Sequence, residues 1–255
     1  MTHFSILTVL FALLVATPAV AETKQADADQ PERRYRACMD KARAQPQAAF
    51  DDALAWSGLG GGQAARHCLA AALMGLGQHA EAARRLEALA QEARAADMRA
   101  ELLAQAAQGW LLAKQAERAD DVLTAALKLA PESVEILIDR AGARAAMKRY
   151  GEAADDLTAA LKIAPRRADA LALRASARRF LDNTAGAEAD ADAALAIEPH
   201  LPEALLERGI LRRLKGDEAG ARADWLKTIA ASGTAGGPAA DAARANLEKM
   251  DVKTR

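Results

Sequence analysis

The chain has 255 residues and is close to neutral, with 34 Lys and Arg against 35 Asp and Glu, 51% apolar residues and 4% aromatics. That apolar fraction excludes global disorder, and the balanced charge removes the electrostatic case for a general nucleic-acid binder. The 69 alanines, with few aromatic or β-branched side chains, favour helix and argue against a β-sandwich or barrel.

Phe4 to Val15 is an apolar run interrupted only by Ser5 and Thr8, broken by Thr17 and Pro18 and followed by Ala19-Val20-Ala21. This pattern predicts a signal peptide over 1–21, cut after Ala21, with an uncleaved anchor as the alternative. The run falls short of the roughly 20 apolar residues of a membrane span. No cysteine follows the cut, which argues against a lipidated N-terminus. The mature chain then belongs to an exported protein, periplasmic in a Gram-negative cell, with no membrane span of its own. Residues 22–30 read as a polar, flexible leader.

Residues 31–62 read as an N-terminal capping helix pair, one helix starting near Pro31 and one over Pro46 to Trp56, ended by Gly58-Leu59-Gly60-Gly61-Gly62. The two cysteines, Cys38 and Cys68, fall on the first and third predicted helices, which lie side by side in an up-down array. An oxidising compartment makes a disulfide the default reading, against two buried thiols. No metal site is expected. Only His67 lies near the cysteines, and His3, His79 and His200 have no ligand spacing.

Downstream, Pro131, Pro165 and Pro199 are 34 residues apart, each ending a similar tail: Ala-Ala-Leu-Lys-Leu-Ala-Pro, Ala-Ala-Leu-Lys-Ile-Ala-Pro and Ala-Ala-Leu-Ala-Ile-Glu-Pro. The columns Ala119/Ala153/Ala187/Ala221, Ala107/Ala141/Ala175/Gly209 and Leu123/Leu157/Ala191/Trp225 keep the same step. Each unit reads as two helices joined by a polar turn, with Pro opening the next unit, where its missing N–H costs nothing. Pro238 to Met250 reads as one amphipathic closing helix, with Ala239, Ala243, Leu247 and Met250 on the covering side.

With its small residue on the first helix, Ala on the second and Pro closing a 34-residue unit, the chain resembles the tetratricopeptide repeat (TPR) family. The resemblance implies an all-α, right-handed α-solenoid with regular units at 100–133, 134–167, 168–201 and 202–235. A degenerate unit precedes them at 63–99, carrying Asp97-Met98-Arg99 as a three-residue insertion, and 236–255 forms the C-terminal capping helix and tail. The family's bulky first-helix aromatic is kept only as Trp110, and Arg144, Arg178 and Arg212 take its place elsewhere.

A second set of columns lies inside the first: Arg140/Arg174/Arg208, Arg144/Arg178/Arg212 and Asp156/Asp190/Asp224. Two arginines one helical turn apart share a face. They predict a structural ladder of planar Arg–Asp pairs, the other reading being an anion-binding stripe.

The family's groove-facing pattern implies a partner surface from Glu101, Gln108, Leu111, Glu135, Ile138, Asp169, Ser176, Arg179, Glu203, Leu206, Ile210 and Arg213. The Lys and Asn by which chaperone-binding members clamp a C-terminal carboxylate are missing from these places. The function expected is a non-catalytic scaffold of the cell envelope that binds a protein or peptide in the concave groove. The alternative is a glycan- or polyanion-binding envelope protein using the arginine-bearing helices. No enzyme and no cofactor are expected: there is no nucleophile–base pair, and Gly60-Gly61-Gly62 lacks the Lys-Ser/Thr and preceding strand of a phosphate loop.

Overall fold

The computed structural model describes residues 30–234 and 236–253, so the signal-peptide assignment and all but the end of the leader lie outside the described residues. The described residues form thirteen helices and no strand. In chain order these are α1 (Gln30–Ala44), α2 (Pro46–Gly58), α3 (Gly62–Gly75), α4 (His79–Glu92), α5 (Ala96–Leu112), α6 (Ala116–Leu129) and α7 (Val134–Ala146). They continue with α8 (Tyr150–Ile163), α9 (Ala168–Phe180), α10 (Thr184–Ile197), α11 (Pro202–Leu214), α12 (Glu218–Ala231) and α13 (Pro238–Lys253). Each helix packs against the next, and α5, α7, α9, α11 and α13 also approach one another in sequence, as an α-solenoid requires.

Helix pairs form because the small residues sit where helices cross. Ala107, Ala141, Ala175, Ala119, Ala153, Ala187 and Ala221 are all at most 1% exposed. Leu123 and Leu157 fill the layer between them. In the last regular unit the leucine becomes Trp225, and the facing alanine becomes Gly209.

The three-residue connections within units share one backbone solution. Gly77, Lys114, Lys148, Asp182 and Gly216 all adopt positive φ, from 59° to 86°. The following N–H reaches back to the helix: Arg149 N donates to Arg144 O at 2.8 Å and Asn183 N to Arg178 O at 2.9 Å. This closure satisfies carbonyls that the end of a helix leaves open. Side-chain caps then start several helices: Ser133 accepts from Ile136 N, Asn183 from Gly186 N and Asp217 from Gly220 N.

One sequence expectation is corrected. Pro131, Pro165 and Pro199 do not open helices; they lie in the turns before α7, α9 and α11, where their fixed φ shapes the bend. The Asp97-Met98-Arg99 insertion is helical. It lengthens α5 to 17 residues, against 13 in α7, α9 and α11.

The ends are closed by helices. At the N-terminal end Cys38, Ala53, Trp56, Ala65, Cys68 and Leu69 form one buried cluster. A disulfide joins Cys38 to Cys68, with Cα atoms 6.1 Å apart, and ties α1 to α3. At the other end Ala243 and Met250 of α13 bury against Ala221 and Trp225.

Candidate functional site

The arginine and aspartate columns come together between the two helices of each of three units. Arg140 donates through Nε and Nη2 to both carboxylate oxygens of Asp156, at 2.9 and 2.7 Å. Arg174 holds Asp190 the same way at 2.8 and 2.7 Å, and Arg208 holds Asp224 at 2.8 Å twice. The second arginine of each unit adds one bond, Arg144 at 2.8 Å and Arg178 and Arg212 at 2.7 Å. Asp156, Asp190 and Asp224 are at most 5% exposed, so each buried carboxylate depends on two guanidiniums. A fourth column, not recognised in the sequence, carries the ladder across units. Arg140 Nη1 reaches Thr124, Arg174 Nη1 reaches Thr158, both at 3.2 Å, and Arg208 Nη1 lies 3.7 Å from Asp192. Thr124, Thr158 and Asp192 are again 34 residues apart.

In the unit preceding these three, Ala106, Trp110 and Val122 stand where the others have Arg, Arg and Asp. Trp110 is buried in the core with Val122 packed beside it, and its Nε1 donates to Glu87 at 2.5 Å. One backbone geometry thus accepts either an apolar trio or a charged one.

The first helices form a face with several kinds of surface. Glu101, Gln108 and Glu203 are exposed, and Ser176 is half-buried. Glu135 pairs with Arg167 at 2.7 Å, and Arg167 also grips Asp169 at 3.0 and 2.9 Å. That grip holds the Asp169 carboxyl below the usual carboxylate range. Arg213 lies 6.0 Å from the Trp225 ring, and Leu111 is half-buried against the core. Ile138 wedges between two core clusters.

Three of the groove residues inferred from the sequence sit differently from a free groove. Arg179 is spent on the buried Glu207 of α11 and stacks over Phe180 at 4.1 Å. Leu206 and Ile210 pack into the cluster formed by Trp225, Ala243 and Met250, so α13 covers part of the floor assigned to them. The cause is the closing helix, which occupies the place that a further first helix takes in the stack.

Polar bridges cross this face at one repeating position, Gln105, Asp139 and Glu207, with Leu173 as the apolar exception. Gln105 bonds His67 of α3, Asp139 faces Gln108 of α5 and Glu207 binds Arg179 of α9. Burial pushes the Asp139 carboxyl above the usual range, opposed by Gln108 and reinforced by Glu135.

The face opens at one place. Among the described residues, α3 and α5 are the successive first helices whose backbones approach each other least. Between α1, α3 and α5 lies a cavity of about 260 Å³, walled by Leu89, Met98 and Leu102. A hydrogen-bonded chain borders it: Tyr35 OH donates to His67 Nδ1 at 2.5 Å, and His67 Nε2 donates to Gln105 Oε1 at 2.7 Å. Gln105 Nε2 then donates to Glu101 Oε1 at 3.4 Å. In this assignment the His67 ring accepts at Nδ1 and donates from Nε2. Burial, with Glu101 nearby, pushes the Tyr35 phenol upward. The sequence had singled out only Glu101 here, because the other contacts cross between an irregular unit and the capping pair.

Among the described residues no helix is long and apolar enough to cross a membrane. No protein-family profile and no curated protein sequence matches the chain. Solved structures do. A tetratricopeptide repeat protein from Parabacteroides merdae is 16% identical over 85% of this chain and 84% of that one, with a TM-score of 0.63. MamA 41-end from Desulfovibrio magneticus RS-1 is 21% identical over 66% of this chain and 93% of that one, with a TM-score of 0.57. A crystal structure of MamA is 16% identical, covering 64% of this chain and 94% of that one, with a TM-score of 0.55. At these identities the likeness is one of fold. With the 34-residue columns and the stacked helix pairs, it gives the chain the α-solenoid fold of tetratricopeptide repeat proteins.

Proposed function

We propose that this protein is a non-catalytic scaffold that holds an extended peptide or protein segment along the face of its first helices, in an exported, oxidising compartment such as the periplasm. The observation that carries this reading is the division of labour among polar groups. The buried Arg–Asp triads lie between helices and serve the stack, whereas Glu101, Gln108, Ser176 and Glu203 remain accessible on the face. The arginines that a glycan or polyanion reader would use are neutralised by Asp156, Asp190, Asp224 and Glu207, which favours a polypeptide over an anion. The Cys38–Cys68 disulfide supports the compartment, since such bonds persist where the surroundings oxidise thiols.

A glutamate at position 142 tests the reading. A Cβ on Gly142 meets nothing within 4 Å, so Gly142→Glu projects a charge over the face without disturbing the stack. Capture of the partner from the source cell is expected to fall while the helical circular dichroism persists. Undiminished capture would contradict the assignment of this face.

A further inference from the structure

We propose that the cavity between α1, α3 and α5 receives a basic side chain of the peptide laid along the first-helix face, its aliphatic stem against Leu89, Met98 and Leu102 and its cation on Glu101. The inference rests on the peptide-binding reading above and names what the face selects.

The size of the cavity limits the ligand. At about 260 Å³ it falls below the roughly 300–1,000 Å³ of pockets that hold drug-sized molecules, so it suits one or two peptide side chains better than a cofactor. Its chemistry limits the ligand further. Leu89 and Leu102 are buried wall residues, and Met98, which is 49% exposed, brings an adaptable thioether to the opening. Glu101 is the charge at this site, and no cation among the described residues pairs with it. The nearby Glu92 is already matched by Arg66 at 2.6 Å.

The Tyr35–His67–Gln105 chain directs every donor toward Glu101. It orients that carboxylate without neutralising it. Tyr35 and His67 also stack, with centroids 5.8 Å apart, and offer aromatic surface to a passing cation. A lysine or arginine combines the apolar stem and cationic tip that this arrangement asks for.

The site has a structural origin. The added turn of α5 brings Met98 to the opening beside Glu101, and the disulfide fixes α1, which carries Tyr35 one turn before Cys38. No regular unit has either device.

The test is a titration of the full, oxidised chain, labelled at its methionine methyl groups, with the blocked tripeptide acetyl-Leu-Lys-Leu-amide. The Met98 signal is expected to shift, acetyl-Leu-Glu-Leu-amide is expected not to shift it, and Glu101→Gln is expected to weaken the lysine peptide by about fivefold, the factor of a partly exposed ion pair. Because Glu101 is exposed, that variant keeps the fold. Equal shifts with both peptides, or no shift at Met98, would overturn the proposal. If the peptides shift other methionine signals but not that of Met98, the cavity fails and the broader peptide-binding reading stands.

Discussion

Gly209 lies directly beneath the indole of Trp225: a Cβ at position 209 meets Trp225 Nε1 at 2.5 Å and Cδ1 at 2.6 Å. The other regular units set Ala against Leu, or Ala against Ala, at these two positions. The glycine and the tryptophan are one exchange of volume, moved from the first helix to the second.

This relationship reverses the usual sign of a glycine substitution. Gly142→Ala, in open space on a helix, is expected to stabilise the protein by about 0.5–1 kcal/mol. Gly209→Ala forces the indole to move and is expected to destabilise it by about 1–3 kcal/mol. Urea unfolding of the two variants measures both.

The charged ladder makes a prediction with an internal control. Asp190→Ala leaves Arg174 and Arg178 facing each other without an anion and is expected to cost about 3–5 kcal/mol. Asp155→Ala removes an exposed acid of α8 and is expected to change stability by less than about 0.5 kcal/mol. Converting the triad to Arg174→Ala, Arg178→Trp and Asp190→Val together copies the trio at Ala106, Trp110 and Val122, and is expected to cost less than Asp190→Ala alone. Thermal melts of the three variants rank them.

Lys114, Lys148 and Asp182 hold backbone conformations that glycine adopts freely, as Gly77 and Gly216 do at the matching turns. Lys148→Gly is expected to stabilise the protein by about 1 kcal/mol through relief at positive φ. Gly77→Ala is expected to lose about as much. A lower denaturation midpoint for Lys148→Gly would contradict the shared turn geometry.

Asp139 gives a pH dependence of known sign. Burial raises its folded pKa above the unfolded value near 3.9, so its contribution to stability is full below that value and lost as pH rises through the folded one. Asp139→Asn is therefore expected to raise the unfolding midpoint at pH 7 and to leave it nearly unchanged near pH 3. A variant less stable at pH 7 than the parent would show that the charge is favoured where it sits.

The sequence made the stack legible because packing at a helix crossing demands a particular side-chain size, and size repeats as residue type. Ala119, Ala153, Ala187 and Ala221 are alike because one space recurs. The turns were not legible in the same way. Gly77, Lys114, Lys148, Asp182 and Gly216 share a backbone conformation but not a chemistry, so no residue column announces them.

The Arg–Asp columns were visible as a period, and their geometry followed from i and i+4 sharing a face. Arg179 was misread as a groove cation because its partner, Glu207, lies on another helix and occurs in one unit only. Leu206 and Ile210 were assigned to an open floor because the family pattern says nothing about where this chain's last helix comes to rest. Tyr35, His67 and Gln105 come from the capping pair, the irregular unit and the first regular unit, so no repeat column brings them together.

The central claim is that the first-helix face holds a polypeptide. A photo-crosslinking residue at position 176, on α9, compared with one at position 155, on the second helix α8, tests it most directly in the source cell. The account predicts an adduct from 176 whose mass-spectrometric fragments are peptide, lost in Gly142→Glu, and none from 155. An adduct from 155 with none from 176, or a captured molecule without polypeptide, would contradict it.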